Sequence, residues 1–335
     1  MSIKVLKAGL LTSIQDLGRY GYQKYGVIVS GAMDSHSLRL ANILVGNEEG
    51  EGVLEISLMG PSLKIEKDII LAITGGDISP SIDGKSVPMW RPVYLKKGSI
   101  LEFGRCRWGC RAYLAIAGGF DIPRIMDSKS TYLRAGIGGF CGRGLKVGDV
   151  LPVKEPQGQA LRYLGKLAKK AGTKSMETTA WHIRSSYIPQ NSQCVTIRVM
   201  KGSQFKHFTE ESTQNLFNAP FQVTVQSDRM GYRLSGSTIK LMQPLEMVSE
   251  AVALGTVQVP PDGNPIILLA DRQSVGGYPK IAQVAIVDVG TVAQTKAGSK
   301  IYFTEISIEE AEELYCTREQ DIQNLIIAIR LKMGE

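Results

Sequence analysis

Short apolar runs, each closed by glycine or by a polar turn, recur along almost the whole chain. They include Val53 to Leu58, Ser62 to Ile65, Ile69 to Thr74, Ile100 to Phe103 and Arg111 to Ala117. In the second half they include Cys194 to Met200, Phe221 to Gln226, Thr256 to Val259, Ile266 to Ala270, Ile281 to Val289 and Ile301 to Glu305. Runs this short fit strands, and strands spaced this closely must be joined by tight turns. The 36 glycines fall in G-G, G-x-G and S-G pairs at the run ends, where such turns need them. Gly75-Gly76-Asp77 reads as one of these turns, and Asp83-Gly84-Lys85 as the tip of a hairpin. The pattern predicts a mainly β chain built as barrels or sandwiches.

Helical spacing is rare. Ser35 to Val45 carries apolar residues at Leu38, Ala41, Ile43, Leu44 and Val45, with Asp34 or Ser35 as the N-cap and His36 in the first turn. Thr209 to Phe217 reads as a second helix. Ile308 to Lys332 reads as a C-terminal helix with an acidic start and a basic end that suit the helix dipole. Between the two strand-rich halves lies the basic run Arg162 to Lys174, a solvated connection with room for one helix near Arg162 to Ala171. The expected organisation is a first β-barrel-like domain over 1–155, a basic connection over 156–192, a second barrel over 193–307 and a C-terminal helix over 308–335. The halves echo each other: Asp16…Gly21-Tyr22…Ser30-Gly31, Glu55 and Gly60 answer to Asp228…Gly231-Tyr232…Ser235-Gly236, Glu250 and Gly255. This echo points to two copies of one β-rich unit.

The formal net charge of +7 is dispersed, and no aromatic-rich nucleic-acid motif accompanies the basic run, so no nucleic-acid partner is expected. The five cysteines are scattered and form no zinc pattern, which implies reduced thiols and no metal site. No apolar run approaches membrane-spanning length, so we expect no membrane partner and a cytoplasmic location.

The stretch Leu268 to Lys280 concentrates chemistry. A buried strand ends abruptly in Asp271, Arg272 and Gln273, two glycines turn the chain, and Tyr278-Pro279-Lys280 follow. Strong hydrogen-bonding side chains delivered to a strand end beside a flexible turn are a common way to build a ligand site. The plainer reading is that Asp228-Arg229 and Asp271-Arg272 form structural ion pairs. Gln15, Asp16, Arg19 and Asp34 form a second polar group near the N-terminus.

The segments S-I-Q-D-L-G-R-Y-G-Y, V-S-G-A-M-D, A-I-A-G-G-F-D-I-P, S-D-R-M-G-Y-R-L-S-G, G-T-V-Q-V-P-P-D-G-N-P and L-L-A-D-R-Q-S-V-G-G-Y-P-K-I-A occur in that order. Together they resemble the biotin-dependent carboxyltransferase family that includes allophanate hydrolase subunit 2 and part of urea amidolyase, over about residues 3 to 305. The likeness is to its stand-alone bacterial 5-oxoprolinase branch. It implies two tandem cyclophilin-like β-barrel domains with short helices and a C-terminal helix. It implies a partner of the allophanate hydrolase subunit 1 (Kip inhibitor) type, a third 5-oxoprolinase subunit, and opening of 5-oxo-L-proline to L-glutamate with ATP, and Mg2+ at the level of the complex. An A-M-K-M biotin-attachment sequence and a G-x-x-x-x-G-K-[ST] phosphate loop are both missing, so this chain carries no biotin and no P-loop nucleotide site. At Ile122 to Thr131 the chain reads I-P-R-I-M-D-S-K-S-T, a departure from the family's M-G-S-R-S-T.

Lactam opening with ATP needs cations for developing phosphate charge and a carboxylate to steer water. On that chemistry Arg272 and Arg229 take the anion contacts, and Asp271 or Glu250 acts as base or orienting group. Gln273 and Gln258 bind the lactam amide, and Tyr278 and Lys280 close the site. Arg19, Asp34 and Asp77 are further candidates from the other half. Two other classes of function are open on the sequence: a non-catalytic regulator that sequesters a histidine-kinase inhibitor, and a carboxyltransferase acting on urea or a related amide with biotin on a separate carrier.

Overall fold

A computed structural model describes residues 2–184 and 194–334. The chain forms two compact units, and neither is contiguous in sequence. Unit 1 comprises Met1–Arg19, Asp34–Gln190 and Ile322–Glu335; unit 2 comprises Tyr20–Met33 and Asn191–Asp321. The expected boundaries differ from these in two ways. The glycine-rich stretch 20–33 leaves the first unit for the second. The basic stretch expected as a connection contributes structure to unit 1, and its residues 185–192 lie outside the described residues.

Unit 1 contains two six-stranded antiparallel sheets. One runs Val150–Pro152, Ser2–Lys7, Ser62–Ile65, Ile100–Glu102, Ser81–Ile82 and Lys85–Ser86. The other runs Met176–Thr178, Val93–Leu95, Ile69–Asp77, Trp108–Ile116, Val53–Ser57 and Leu11–Gln15. Alternate residues of both sheets point into one core: Ile3, Val5, Leu63 and Leu101 from the first meet Leu54, Ile56, Leu71, Ile73, Leu114 and Ile116 from the second. The long strand Ile69–Asp77 is buried on both faces because the helix Ser35–Leu44 covers its outer side. That helix is capped as its sequence predicts: Asp34 accepts from the Ser37 amide at 3.0 Å and from the Ser37 hydroxyl at 2.7 Å.

Two local readings change. Gly75 and Gly76 do not turn the chain; they lie inside the strand Ile69–Asp77. The pairing with Trp108–Ile116 shifts register between Trp108 and Ala112, with the extra residues on the Trp108–Ile116 side, and Gly109 at φ +67° and Gly75 at φ +78° flank that bulge. The basic run forms the helix Gly158–Ala171, which buries Ala160, Tyr163, Leu167 and Ala171, while Arg162, Lys166, Lys169 and Lys170 stay exposed. The strand Met176–Thr178 then pairs with Val93–Leu95. The hairpin at Asp83-Gly84 is present, with both residues at positive φ as a two-residue hairpin turn requires.

Unit 2 is a closed seven-stranded barrel in the order Cys194–Lys201, Lys280–Val284, Thr256–Gln258, Ile266–Leu268, Gly231–Ser235, Phe221–Val223 and Lys300–Glu305. A parallel pairing of the first and last strands, with Ile197 opposite Phe303, closes it. Ile197, Val199, Phe221, Leu234, Val257, Ile267, Ile281 and Phe303 fill the interior. A ribbon of two short strands, Glu250–Ala251 and Val275–Gly276, lies outside the barrel ladder. The helix Ile308–Gly334 is a single element whose first part belongs to unit 2 and whose last part belongs to unit 1. The chain is thus mainly β, as its sequence predicts, with barrel closure seen in unit 2. Among the described residues no disulfide joins the cysteines.

One surface feature of unit 1 sets a pH dependence. Arg143 holds Asp149 through two parallel bonds of 2.8 Å, and the Lys146 amide adds a third at 2.7 Å. The hydrogen bonds from Arg143 hold the Asp149 carboxyl below its ordinary value. A depressed carboxylate contributes stability above its unfolded-state value, and that stability is lost as pH falls through the folded value. We expect Asp149→Asn to flatten the acid limb of stability against pH below about pH 4, by less than about 1 kcal/mol because the pair lies near the surface. Urea midpoints measured from pH 3 to pH 7 check this; parallel acid limbs for the two proteins would refute it.

Candidate active site

The strand Ile266–Leu268 ends two residues earlier than its apolar run, and a turn closed by the Arg272 amide on Leu269 O at 3.1 Å follows. Asp271 is thereby placed against Arg229. Arg229 Nε donates to Asp271 Oδ2 at 2.9 Å and Nη2 donates to Oδ1 at 3.0 Å, with both side chains 7% exposed. Arg229 Nη2 also donates to Gly31 O at 2.6 Å, and the Ser30 hydroxyl donates to Asp271 Oδ1 at 2.8 Å. These contacts correct two expected roles. Arg229 spends its charge on a buried carboxylate and has none left for a substrate anion. Both Asp271 oxygens already accept hydrogen bonds, so Asp271 is poorly placed as a base. The two form a clamp that fixes the 30–31 segment against the strand end.

The remaining candidates gather around the outer ribbon. Lys280 Nζ donates to Glu250 Oε2 at 2.8 Å and to Ala251 O at 3.0 Å. Arg272 Nε donates to Val252 O at 3.4 Å and Nη1 to Leu269 O at 3.3 Å. Gln258 is buried and its Nε2 donates to Tyr278 O at 3.2 Å. A side chain at Gly276 would come within 2.7 Å of Gln258 Nε2, so glycine is what lets the ribbon lie over Gln258. Gln273 is half-buried and Tyr278 exposed. Among the described residues neither the Gln273 amide nor the Tyr278 hydroxyl has a hydrogen-bond partner. The ribbon thus presents two cations, one carboxylate, an amide and a phenol around one turn.

Arg272 differs from every other buried or half-buried cation of this site. No carboxylate pairs with it among the described residues, and burial pushes its guanidinium below the ordinary arginine value, with Tyr20 acting in the opposite sense. A desolvated cation without a counter-charge favours binding an anion.

The candidates from the other half have structural partners in unit 1. Asp34 caps its helix, and its amide donates to the Tyr113 hydroxyl oxygen at 2.8 Å. Burial and the neighbouring Glu55 carboxylate push the Tyr113 phenol well up. Asp77 accepts from the Ser79 amide at 2.7 Å and lies 3.7 Å from Arg107. Arg19 is fully buried and donates to Ser130 O at 2.5 Å.

Sequence reasoning placed Asp16 among polar groups able to bind and missed what it organises. Asp16 accepts from Ser128 Oγ at 2.7 Å, Ser130 Oγ at 2.5 Å, the Lys129 amide at 2.6 Å and the Gly18 amide at 2.8 Å. Lys129 is buried and bonds Glu51 and Phe120 O. The S-K-S-T segment therefore ties the N-terminal strands to the loop after Phe120. Ser30 and Gly31 were also missed as partners of Asp271 and Arg229; their only sequence signal was the S-G pair itself. A cavity of about 600 Å³ in unit 1, lined by Gly46, Glu48, Gln157, Ile326 and Arg330 among others, holds none of the predicted site residues.

The family model "Carboxyltransferase domain, subdomain A and B" matches residues 25–305. The chain is 38% identical to the C-type subunit of 5-oxoprolinase from Haemophilus influenzae, over 93% of this chain and 94% of that protein. It is 37% identical to the C-type 5-oxoprolinase subunit of Escherichia coli, over 92% and 93%. Among solved structures it is similar to Kluyveromyces lactis urea amidolyase, with a TM-score of 0.86 at 32% identity, covering 97% of this chain and 20% of that one. The chain therefore corresponds to about a fifth of that longer protein.

Proposed function

Since the chain belongs to the carboxyltransferase subdomain A and B family, we propose that it is the C-type subunit of an ATP-dependent 5-oxoprolinase that opens 5-oxo-L-proline to L-glutamate. The observation that carries this reading is the match to two such subunits over 92–94% of each chain, at 37–38% identity. It works with an allophanate hydrolase subunit 1 (Kip inhibitor)-type partner and a third subunit, and it is inactive alone. We place the assembly in the cytoplasm, where scattered thiols stay reduced.

Opening a lactam adds water across its C–N bond: the carbonyl carbon takes the hydroxyl and the nitrogen takes the proton. The amide is resonance-stabilised, and ATP supplies the activation: phosphorylation of the carbonyl oxygen makes the ring carbon electrophilic. One water adds there as the C–N bond breaks and the nitrogen takes a proton, and a second water releases phosphate from the resulting acyl phosphate. In this reading Lys280 meets developing phosphate charge as a mobile point cation, and Glu250, released from it, orients water. Gln273 holds the lactam amide and Tyr278 covers it, while Gln258, expected to share that role, lies buried under the ribbon and supports it through Tyr278 O. Among the described residues no group of three His, Cys, Asp or Glu side chains gathers as a metal site, so Mg2+ enters with the nucleotide or through the other subunits.

Glutamate release from 5-oxo-L-proline by the three subunits together, with and without this chain, tests the reading. Loss on omission is expected; unchanged release would defeat it. The similarity to urea amidolyase favours a second reading, carboxyl transfer with biotin on a separate carrier. Inhibition of the activity by avidin would select it.

A further inference from the structure

Resting on that reading and extending it to substrate recognition, we propose that Arg272 is the receptor for the substrate's own carboxylate and so sets the enzyme's preference for a carboxylated lactam. A guanidinium has five N–H donors. Two of them are used, by Val252 O on Nε and Leu269 O on Nη1. The three that remain are one on Nη1 and both on Nη2, which is the end-on fork that takes a carboxylate through two parallel bonds. Nη2 has no partner among the described residues and is not sealed from solvent. The two backbone bonds fix the plane of the group, so the fork is held ready at little entropic cost.

The neighbours agree with this division of labour. Lys280 is occupied by Glu250 and by Ala251 O, and Arg229 by Asp271 and Gly31 O. Arg272 is therefore the one cation of the cluster with no carboxylate partner among the described residues. Gln273, next in the chain and with no hydrogen-bond partner among the described residues, keeps an uncommitted amide on the same turn. A planar fork suits a planar carboxylate better than a tetrahedral phosphoryl group, whose charge is met as well by a lysine. The ligand class this selects is a small cyclic amide bearing a carboxylate on the ring.

The test compares 5-oxo-L-proline with 2-pyrrolidone, the same ring without the carboxylate. Dissociation constants for both are measured by calorimetry on the assembled complex, with the wild-type chain and with Arg272→Gln. The wild type is expected to bind 5-oxo-L-proline at least about tenfold more tightly, as the loss of a charge-assisted pair predicts. Arg272→Gln should abolish that preference. Arg272→Lys, which keeps the charge and loses the fork, should retain part of it and serves if the glutamine variant does not fold. A preference that survives in Arg272→Gln, or its absence in the wild type, overturns the proposal. Glutamate release is read separately: tight, Arg272-dependent binding without release would sink the 5-oxoprolinase reading and leave the carboxylate site standing.

Discussion

Arg229→Met destabilises the protein by about 3–5 kcal/mol, because it leaves Asp271 as a buried carboxylate with no cation beside it. The charge cannot move to solvent: both side chains are nearly sealed, and Asp271 is further tied by Ser30. The double variant Arg229→Met, Asp271→Leu should regain most of the loss, because it removes the charge together with its partner and fills the space with apolar atoms. Urea unfolding of the full chain reads both values. A single substitution that costs under about 1 kcal/mol would mean that water reaches the clamp. The same experiment separates scaffold from chemistry. The double variant folds with its ribbon unchanged in composition, so the reading above, which assigns the pair no reacting role, predicts that it keeps substrate binding.

Asp16→Ala should cost about 4 kcal/mol or more. The carboxylate receives four hydrogen bonds in unit 1, two from hydroxyls and two from amides. Bonds to a charged acceptor contribute roughly 1.5–3 kcal/mol each, and truncation leaves buried donors with nothing to meet. The sum is not additive, since the donors share one acceptor group. Asp16→Asn is the informative companion. Serine hydroxyls can rotate to accept from the new amide, whereas the Lys129 and Gly18 amides can only donate, so one of them loses its acceptor. About half the alanine loss is expected, measured by urea unfolding. Equal stability of both variants with the wild type would show that Ser128 and Ser130 satisfy each other without Asp16.

The strand rhythm was legible because a period of two survives local noise: the runs around Val53, Ile69, Ile266 and Ile301 all became strands. The cap at Asp34 was legible because capping is local chemistry. The helix Gly158–Ala171 was legible over Arg162 to Ala171, but its exposed lysines hid the buried face of Ala160, Tyr163, Leu167 and Ala171, so the stretch read as a solvated connection. Gly75 and Gly76 misled because glycine serves a bulge as well as a turn, and only the register of the neighbouring strand distinguishes them. At the candidate site the Asp271–Lys280 turn was readable as a cluster of polar groups. What could not be read was which groups satisfy one another. Ser30 lies 241 residues from Asp271 and Gly31 lies 198 from Arg229, and no local pattern announces a contact over such separations.

The passage of residues 20–33 into unit 2, and of the last helix from unit 2 back to unit 1, has a genetic corollary. Neither half can be gained or lost by a single recombination event, because any one breakpoint leaves part of a half on the wrong side. The pair must be inherited together, whether it stands as a separate gene product or is spliced into a much longer polypeptide such as the yeast urea amidolyase it resembles.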